Sequence, residues 1–289
     1  MKKRFLTIIL LFVFILHLCA CSDVKLGSSS TFSIHFIDVG QGDAALVECD
    51  GRYMLIDGGD KLAGDKVYSI LEEKGIQHLD ILVISHMHDD HIGGLPKALT
   101  YTSKIDLILS NTNYGLTQTF DKLKHEFGII GTQITVPHVG DKYQFGSSEI
   151  EVIDTGSLFY NDSLVIIITY GKTRFLFTGD IEDDAQTRIS DKYDNEKDEA
   201  YKIDLIKMPH HGSSSPKSNN GTGSLYRFIR TFMPDYAVIS VGKGNVYGHP
   251  HKVTLDLLDD ANIEIYRTDI CGDIIVCSDG KSLSIKCEK

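Results

Sequence analysis

Between residues 32 and 289 the chain alternates short apolar runs with segments of helical periodicity, and no repeat or low-complexity insert interrupts them. Runs rich in Val, Ile, Leu and Phe predict strands over 32–38, 44–49 and 52–56, with a turn at Asp50-Gly51 joining the last two. The continuous run "ILVI" at 81–84 lies in a buried strand over 79–85. Further strands are predicted at 105–109, 133–137, 149–154, 163–169, 173–178, 203–208, 235–240, 263–266, 273–277 and 282–286. Helical spacing predicts helices over 66–74, closed by Gly75, and over 92–100, 117–127, 182–191, 224–232 and 252–260. Early strands paired by hairpins, followed by strands separated by helices, imply an α/β fold of two sheets with helices outside. No linker divides 32–289 into independent units.

The first 21 residues follow a different pattern. Lys2, Lys3 and Arg4 precede a largely apolar stretch from Phe5 to Leu18, and Leu18-Cys19-Ala20-Cys21 ends it. A basic start, a short apolar core and small residues at a cut site read as an export signal. The stretch falls short of the roughly 20 residues that a transmembrane helix needs. The "LCAC" ending resembles the lipobox of bacterial lipoproteins, which implies lipidation at Cys21 and a soluble domain held outside a membrane. Residues 22–31, "SDVKLGSSST", read as a flexible tether.

Charge and cysteine content narrow the picture. Removing the leader takes away three basic residues and no acidic ones, which carries the net charge from −11 to −14. That argues against broad electrostatic attachment to nucleic acid, though a local basic groove stays open. Cys49, Cys271, Cys277 and Cys287 remain, with no C-x-x-C pair to suggest a zinc knuckle. A hairpin turning at Asp279-Gly280 places Cys287 opposite Gly272, beside Cys271. A Cys271–Cys287 disulfide is the first choice there, with free thiols as the alternative.

The densest chemistry is "SHMHDDHIGG", Ser85 to Gly94, directly behind the buried strand over 79–85. On an extended backbone His86 and His88 point to one side. Asp90 and His91 sit where the chain turns into a helix, and Gly93-Gly94 allow another backbone to come close. Neutral imidazoles and carboxylates suit zinc, manganese or iron, and two pairs suit two adjacent ions better than one. Two later strands end in ligand types, at Gly179-Asp180 and at His210-His211-Gly212-Ser213. Asp180 is placed to bridge two cations. His17, His35, His78, His125 and His138 read instead as surface or hydrogen-bonded residues.

Together these residues resemble the metallo-β-lactamase-fold hydrolases, whose His-x-His-x-Asp-His pattern is complete at His86, His88, Asp90 and His91. "FIDVGQGDAALVE" (36–48), "LIDGG" (55–59), "NDSLVI" (161–166), "TGD" (178–180), "PHHGSS" (209–214), "SVGKGNVYGHP" (240–250) and "YRTDICGDI" (266–274) resemble the branch containing the hydrolase domain of the ComEC competence proteins. The resemblance implies a four-layer αββα sandwich with two divalent ions, Zn or Mn, at one edge. His86 and His88 would serve the first ion, Asp90 and His91 the second, Asp180 both, and His210 would complete the second. Where many relatives supply a further histidine, this chain has Asn161, a poor ligand.

The implied chemistry is two-metal hydrolysis, with a metal-bound hydroxide attacking a phosphoester. His211 and His249 are the candidates to protonate the leaving oxygen, and Ser213 with nearby backbone N–H groups could hold a phosphate oxygen. Asp57 reads as a carboxylate that orients a ligand histidine or as a turn residue. The expected substrate is DNA or another phosphodiester at the cell surface, with Lys217, Arg227, Arg230, Lys243 and Lys252 as a local basic wall. The alternative is a cell-wall polymer, with choline-phosphate or teichoic-acid groups as substrate. A non-catalytic binding lipoprotein, a lactam or thioester hydrolase and a redox iron enzyme are the remaining readings.

Overall fold

The computed structural model describes residues 31–156, 162–193, 201–214 and 223–289. The leader, Cys21, the tether over 22–30, Asn161 and Lys217 lie outside the described residues. No helix among the described residues is long and apolar enough to cross a membrane.

Two mixed sheets face each other. The first holds eight strands: β1 (Phe32–Phe36), β2 (Ala45–Cys49), β3 (Arg52–Ile56), β4 (His78–Ile84), β5 (Lys104–Ser110), β6 (Ile134–Thr135), β14 (Ile274–Ser278) and β15 (Leu283–Cys287). Their order is β15-β14-β1-β2-β3-β4-β5-β6, antiparallel as far as β3 and parallel beyond it. The second holds seven: β7 (Lys142–Phe145), β8 (Ser148–Asp154), β9 (Val165–Tyr170), β10 (Thr173–Phe177), β11 (Leu205–Lys207), β12 (Tyr236–Ile239) and β13 (Glu264–Arg267). They lie in the order β13-β12-β11-β10-β9-β8-β7, and β10 through β13 run parallel.

Side-chain alternation explains the layering. In β1, Phe32, Ile34 and Phe36 point between the sheets, while Ser33 and His35 face outward. The β9 run is buried on both faces, with Ile166 and Ile168 toward the other sheet and Val165 and Ile167 toward helices. Each such side chain contributes roughly 2 kcal/mol through burial. Helices α1 (Gly64–Glu73), α3 (Leu95–Ala98) and α4 (Gln118–Ile130) cover the first sheet. Helices α5 (Asp183–Tyr193), α6 (Gly223–Phe232) and α7 (Lys252–Asp260) cover the second. The result is the expected αββα sandwich.

Several boundaries differ from the sequence reading, each for a local reason. The expected helix over 92–100 is broken. Asp89–Ile92 forms one turn, α2, and Leu95–Ala98 forms α3. The break at Gly93-Gly94 is a close approach: a Cβ on Gly94 would lie 2.1 Å from the Gly58 carbonyl oxygen. The strand at 133–137 shrinks to Ile134–Thr135, since Pro137 cannot donate to a ladder. The short strand β7, half polar and half exposed, carried no apolar signal. Cys271 and Cys287 are bonded, with Cα atoms 4.9 Å apart. Their strand register differs from expectation: Cys287 opposes Ile274, because Ser278 pairs with Leu283 and leaves a longer loop. Cys271 reaches it from α8 (Thr268–Cys271), the turn that precedes β14.

One polar cluster ties β1, α1 and β14 together. Asp273 is 5 % exposed and accepts from His35 Nε2 at 2.8 Å, Lys66 Nζ at 2.5 Å and the Asp38 amide at 2.7 Å. Burial opposes its charge, but His35, Lys66 and the Asp38 amide outweigh that and hold its pKa well below the ordinary aspartate value. A depressed carboxylate adds stability above its unfolded pKa of about 4 and loses it as pH falls through the folded value. Asp273→Asn is therefore expected to cost about 2 kcal/mol near pH 7. The gap from wild type should narrow steadily below about pH 4. Urea unfolding at pH 7 and pH 3 reads both points, and a gap independent of pH would refute the assignment.

Candidate metal centre

The parallel strands deliver their carboxyl ends to one edge of the sandwich. β4 ends in the loop carrying Ser85 to Asp90, β10 in Thr178-Gly179-Asp180, and β11 in Met208-Pro209-His210-His211. His86, His88 and Asp180 present ligand atoms within 4.8 Å of one another, and so do Asp90, His91, Asp180 and His211. Asp180 belongs to both sets. It is 3 % exposed, and its amide donates to Ser163 Oγ at 2.9 Å.

His211, and not His210, falls in the second ligand set. Both adopt left-handed backbone angles, φ 46° and 53°. This rare geometry for non-glycine residues swings His211 inward. Its Nε2 lies 3.2 Å from Asp90 Oδ2 and 3.6 Å from Asp180 Oδ2, so His211 joins the second set instead of facing a leaving group. His210 stays one-third exposed at the rim, with Nδ1 3.2 Å from Glu182 and Nε2 3.9 Å from Asp180.

A layer of carboxylates and hydroxyls orients the histidines. Asp57 accepts from the Ser85 amide at 2.8 Å and the Ser85 hydroxyl at 2.6 Å, and its Oδ2 lies 2.9 Å from His91 Nδ1. Ser163 Oγ is 3.3 Å from His86 Nδ1. Asp43 Oδ1 is 3.3 Å from His211 Nδ1, which also bonds the Ser240 carbonyl at 3.0 Å. Asp43 is ion-paired with the buried Lys207. Of the two readings of Asp57, the structure shows the carboxylate beside His91, while Asp43, Lys207, Ser85, Ser163 and Ser240 were not singled out by the sequence. Lys207 did leave a trace, as a charged residue inside the apolar run "DLIKMP".

Protonation follows the surroundings. Burial lowers His86 well below the ordinary imidazole value and lowers His88 as well, which leaves both neutral near pH 7. Burial also opposes charge on His91 and His211, but Asp180 with Asp57 or Asp43 outweighs it. His91 is raised well above its usual value and His211 to about 9. Burial raises the Asp180 carboxyl, but His91 and His211 dominate and hold it far below the usual range.

The donor set fits divalent cations. His86 Nε2, His91 Nε2 and Asp180 Oδ1 are buried and lack hydrogen-bond partners. An orphaned buried polar atom costs about 1–3 kcal/mol, so three at one place call for a shared positive ligand. Nitrogen and carboxylate oxygen are donors that zinc, manganese and iron accept.

The remaining expected residues sit around this centre. His249 is half-buried, and its ring centroid is 5.5 Å from His210 and 6.3 Å from His211. Burial and the facing His210, His251 and His211 push its pKa down to about 4, so the ring is neutral near pH 7. The Ser213 amide is spent on the His210 carbonyl at 2.8 Å, which leaves only its hydroxyl for a substrate. Among the described residues, three of the expected basic wall have partners on the helices. Arg227 pairs with Asp191, Arg230 meets Tyr226, and Lys252 pairs with Asp256, all on outer helices. Lys243 alone of the described four stands in the loop that leads to His249.

Fold and site together define a class. Residues 37–216 match the model of the metallo-beta-lactamase superfamily, and the chain belongs to that superfamily, as a metal-dependent hydrolase by class. It is 31 % identical to ComE operon protein 3 of Bacillus subtilis, over 85 % of this chain and 33 % of that protein. It is 27 % identical to competence protein ComA of Neisseria gonorrhoeae, over 81 % of this chain and 30 % of that protein. The chain thus spans about a third of the length of these relatives. Among solved structures, the metallo-beta-lactamase fold protein YhfI of Bacillus subtilis aligns with a TM-score of 0.55 at 14 % identity. That alignment covers 86 % of this chain and all of YhfI, and it shows the shared fold.

Proposed function

We propose that this chain is a two-metal phosphodiesterase that cleaves nucleic acid, held at the outer face of a bacterial membrane by lipid on Cys21. The carrying observation is the sharing of Asp180 between two ligand sets, an arrangement suited to in-line displacement at phosphorus. Similarity to a competence protein is in keeping with this reading, and the "LCAC" leader supports anchoring.

Two divalent ions, held by His86, His88 and Asp180 and by Asp90, His91, Asp180 and His211, would supply Lewis acidity toward water and the phosphoryl oxygens. The protein's own groups do the rest. Asp57 fixes His91 through Nδ1, and the Ser240 carbonyl with Asp43 fixes His211 through its own Nδ1. Both imidazoles are left with Nε2 toward Asp180. His210, steadied by Glu182, supplies a proton to the leaving oxygen from the rim. His249 stays neutral and accepts a hydrogen bond there. The Ser213 hydroxyl donates to a phosphate oxygen.

The test is incubation with labelled single-stranded and duplex DNA in Mn²⁺ or Zn²⁺. Cleavage that depends on metal supports the reading. A folded, metal-loaded protein that leaves both DNAs intact overturns it, and choline-phosphate and teichoic-acid esters become the next substrates to try.

A further inference from the structure

Lys207 is the last residue of β11 and is 3 % exposed, at a position where the metal chemistry above gives it nothing to do. Burying an ammonium costs several kcal/mol unless it is paired, so its presence needs a reason. Its stem passes a cavity of about 20 Å³ lined by Phe36, Ile56, Leu164 and Phe177, and its Nζ meets Asp43 Oδ2. Asp43 in turn is tightly placed. Its amide donates to the Asp90 carbonyl at 3.1 Å, and its carbonyl accepts from the Gly59 amide at 2.7 Å. The neighbouring Gly42 lies so close to the Asp90 carbonyl that a Cβ there would be 2.3 Å from the oxygen. The loop between β1 and β2 is thereby locked onto the loop that carries Asp90 and His91.

From this position the Asp43 carboxylate faces two histidines, His211 Nδ1 at 3.3 Å and His91 Nδ1 at 3.8 Å. His91 already has Asp57 at 2.9 Å, so Asp43 is the carboxylate beside His211, whose Nδ1 is hydrogen-bonded to the Ser240 carbonyl at 3.0 Å. His211 comes from a left-handed turn directly after β11, three residues beyond Met208 and four beyond Lys207. The lysine and the histidine are thus carried by the same strand end, and both converge on one carboxylate from the opposite sheet.

We propose that Lys207 is a positioning residue for the metal centre: its ammonium fixes Asp43, and Asp43 fixes the His211 ring so that Nε2 faces Asp90 and Asp180. The inference rests on the metal reading of the site and adds to it a buried cation that touches neither metal nor substrate. Lys207 acts on ligand geometry at the second set and leaves the His86–His88 set alone. A carboxylate that orients a ligand histidine is commonly worth about 10–100-fold in metal affinity, and the lysine should transmit much of that.

The experiment measures binding of Zn²⁺ alone to the full chain by chelator competition, together with the visible spectrum of the Co²⁺-loaded protein. Lys207→Met keeps the stem and removes the charge. The expected result is one ion bound about 10–100-fold more weakly, with the other unchanged, and altered Co²⁺ bands for one of two sites. Lys207→Arg keeps the charge and should restore affinity to within about tenfold of wild type. If Lys207→Met alone fails to fold, the pair Lys207→Met with Asp43→Asn removes both buried charges, and weak binding at one site is expected again. Wild-type affinity and spectrum in a folded Met variant, single or paired, would leave Lys207 a packing residue and overturn the proposal. A wild-type chain that retains no divalent ion would overturn the metal reading itself, whatever the variants do. Two tightly held ions without DNA cleavage would count against the nuclease assignment only.

Discussion

Asp180→Ala is expected to abolish phosphodiester cleavage, lowering kcat/KM by about 10³-fold or more, since ion-based charge stabilisation is worth several kcal/mol and each 1.36 kcal/mol is tenfold in rate. The reason lies in position. Asp180 is the one residue common to both ligand sets, so its loss weakens two sites at once. Removing a ligand from a single set, as in His88→Ala, should cost less and leave one ion in place. Binding also stabilises the fold by mass action, by about 2.7 kcal/mol when free metal is a hundred times Kd. Wild-type protein should therefore melt higher when Zn²⁺ is added, and Asp180→Ala should not. Metal content, melting temperature and cleavage are read on the same samples. A variant that keeps two ions and half its activity would remove Asp180 from the centre.

Asp57→Ala carries the second large effect, on stability more than on rate. Asp57 is 1 % exposed and receives the Ser85 amide, the Ser85 hydroxyl and the His91 ring. Burial raises its carboxyl pKa, against the pull of His91 and Ser85. Deleting it strands the buried Ser85 amide, leaves the Ser85 hydroxyl only the His86 and His91 rings, and takes from His91 its closest counter-charge, for a loss of about 4 kcal/mol in unfolding free energy. Asp57→Asn is the sharper probe. The amide has one acceptor oxygen where three donors need one, so its NH₂ must face a partner that was donating. If that partner is His91, Nδ1 becomes the acceptor and the proton moves to Nε2, the atom directed at Asp180. The Asn variant should fold yet bind the second ion about 10–100-fold more weakly. Denaturant midpoints for the Ala variant and chelator titrations for the Asn variant decide the two points separately.

Much of this was legible in the residues themselves, and the failures have physical causes. The apolar runs at 81–84 and 164–168 are buried on both faces, and such runs mark central strands without ambiguity of face. His86, His88, Asp90 and His91 are close in sequence, so local spacing was enough to group them. His211 shows the limit. Whether His210 or His211 turns inward depends on two left-handed backbone angles that no side-chain type announces. Asp43 and Lys207 are separated by 164 positions and meet only because the two sheets stack. Nearness in the chain has a similar limit: it placed Arg227, Arg230 and Lys252 beside the motifs, but helices α6 and α7 carry them, and local partners hold them there.

The two ends of the sandwich differ in what they add to a shared aromatic packing, for Phe36 stacks on Phe177 near the metal end as well, with ring centroids 5.7 Å apart. At one end Phe32 stacks on Tyr170 and on Phe175, both with ring centroids 4.9 Å away, and the sheets meet through a dry aromatic seam. At the other end β4 meets β10 and β11 across carboxylates and imidazoles that ions would join. Such a centre is a clasp as well as a reaction site, since its ligands come from both sheets. Stripping the ions should let the strand tips around 85–91, 178–181 and 208–213 breathe while the aromatic seam stays shut. The spine of such a sandwich is hydrophobic and its latch, with ions bound, would be ionic, so the availability of metal should set how far those tips open.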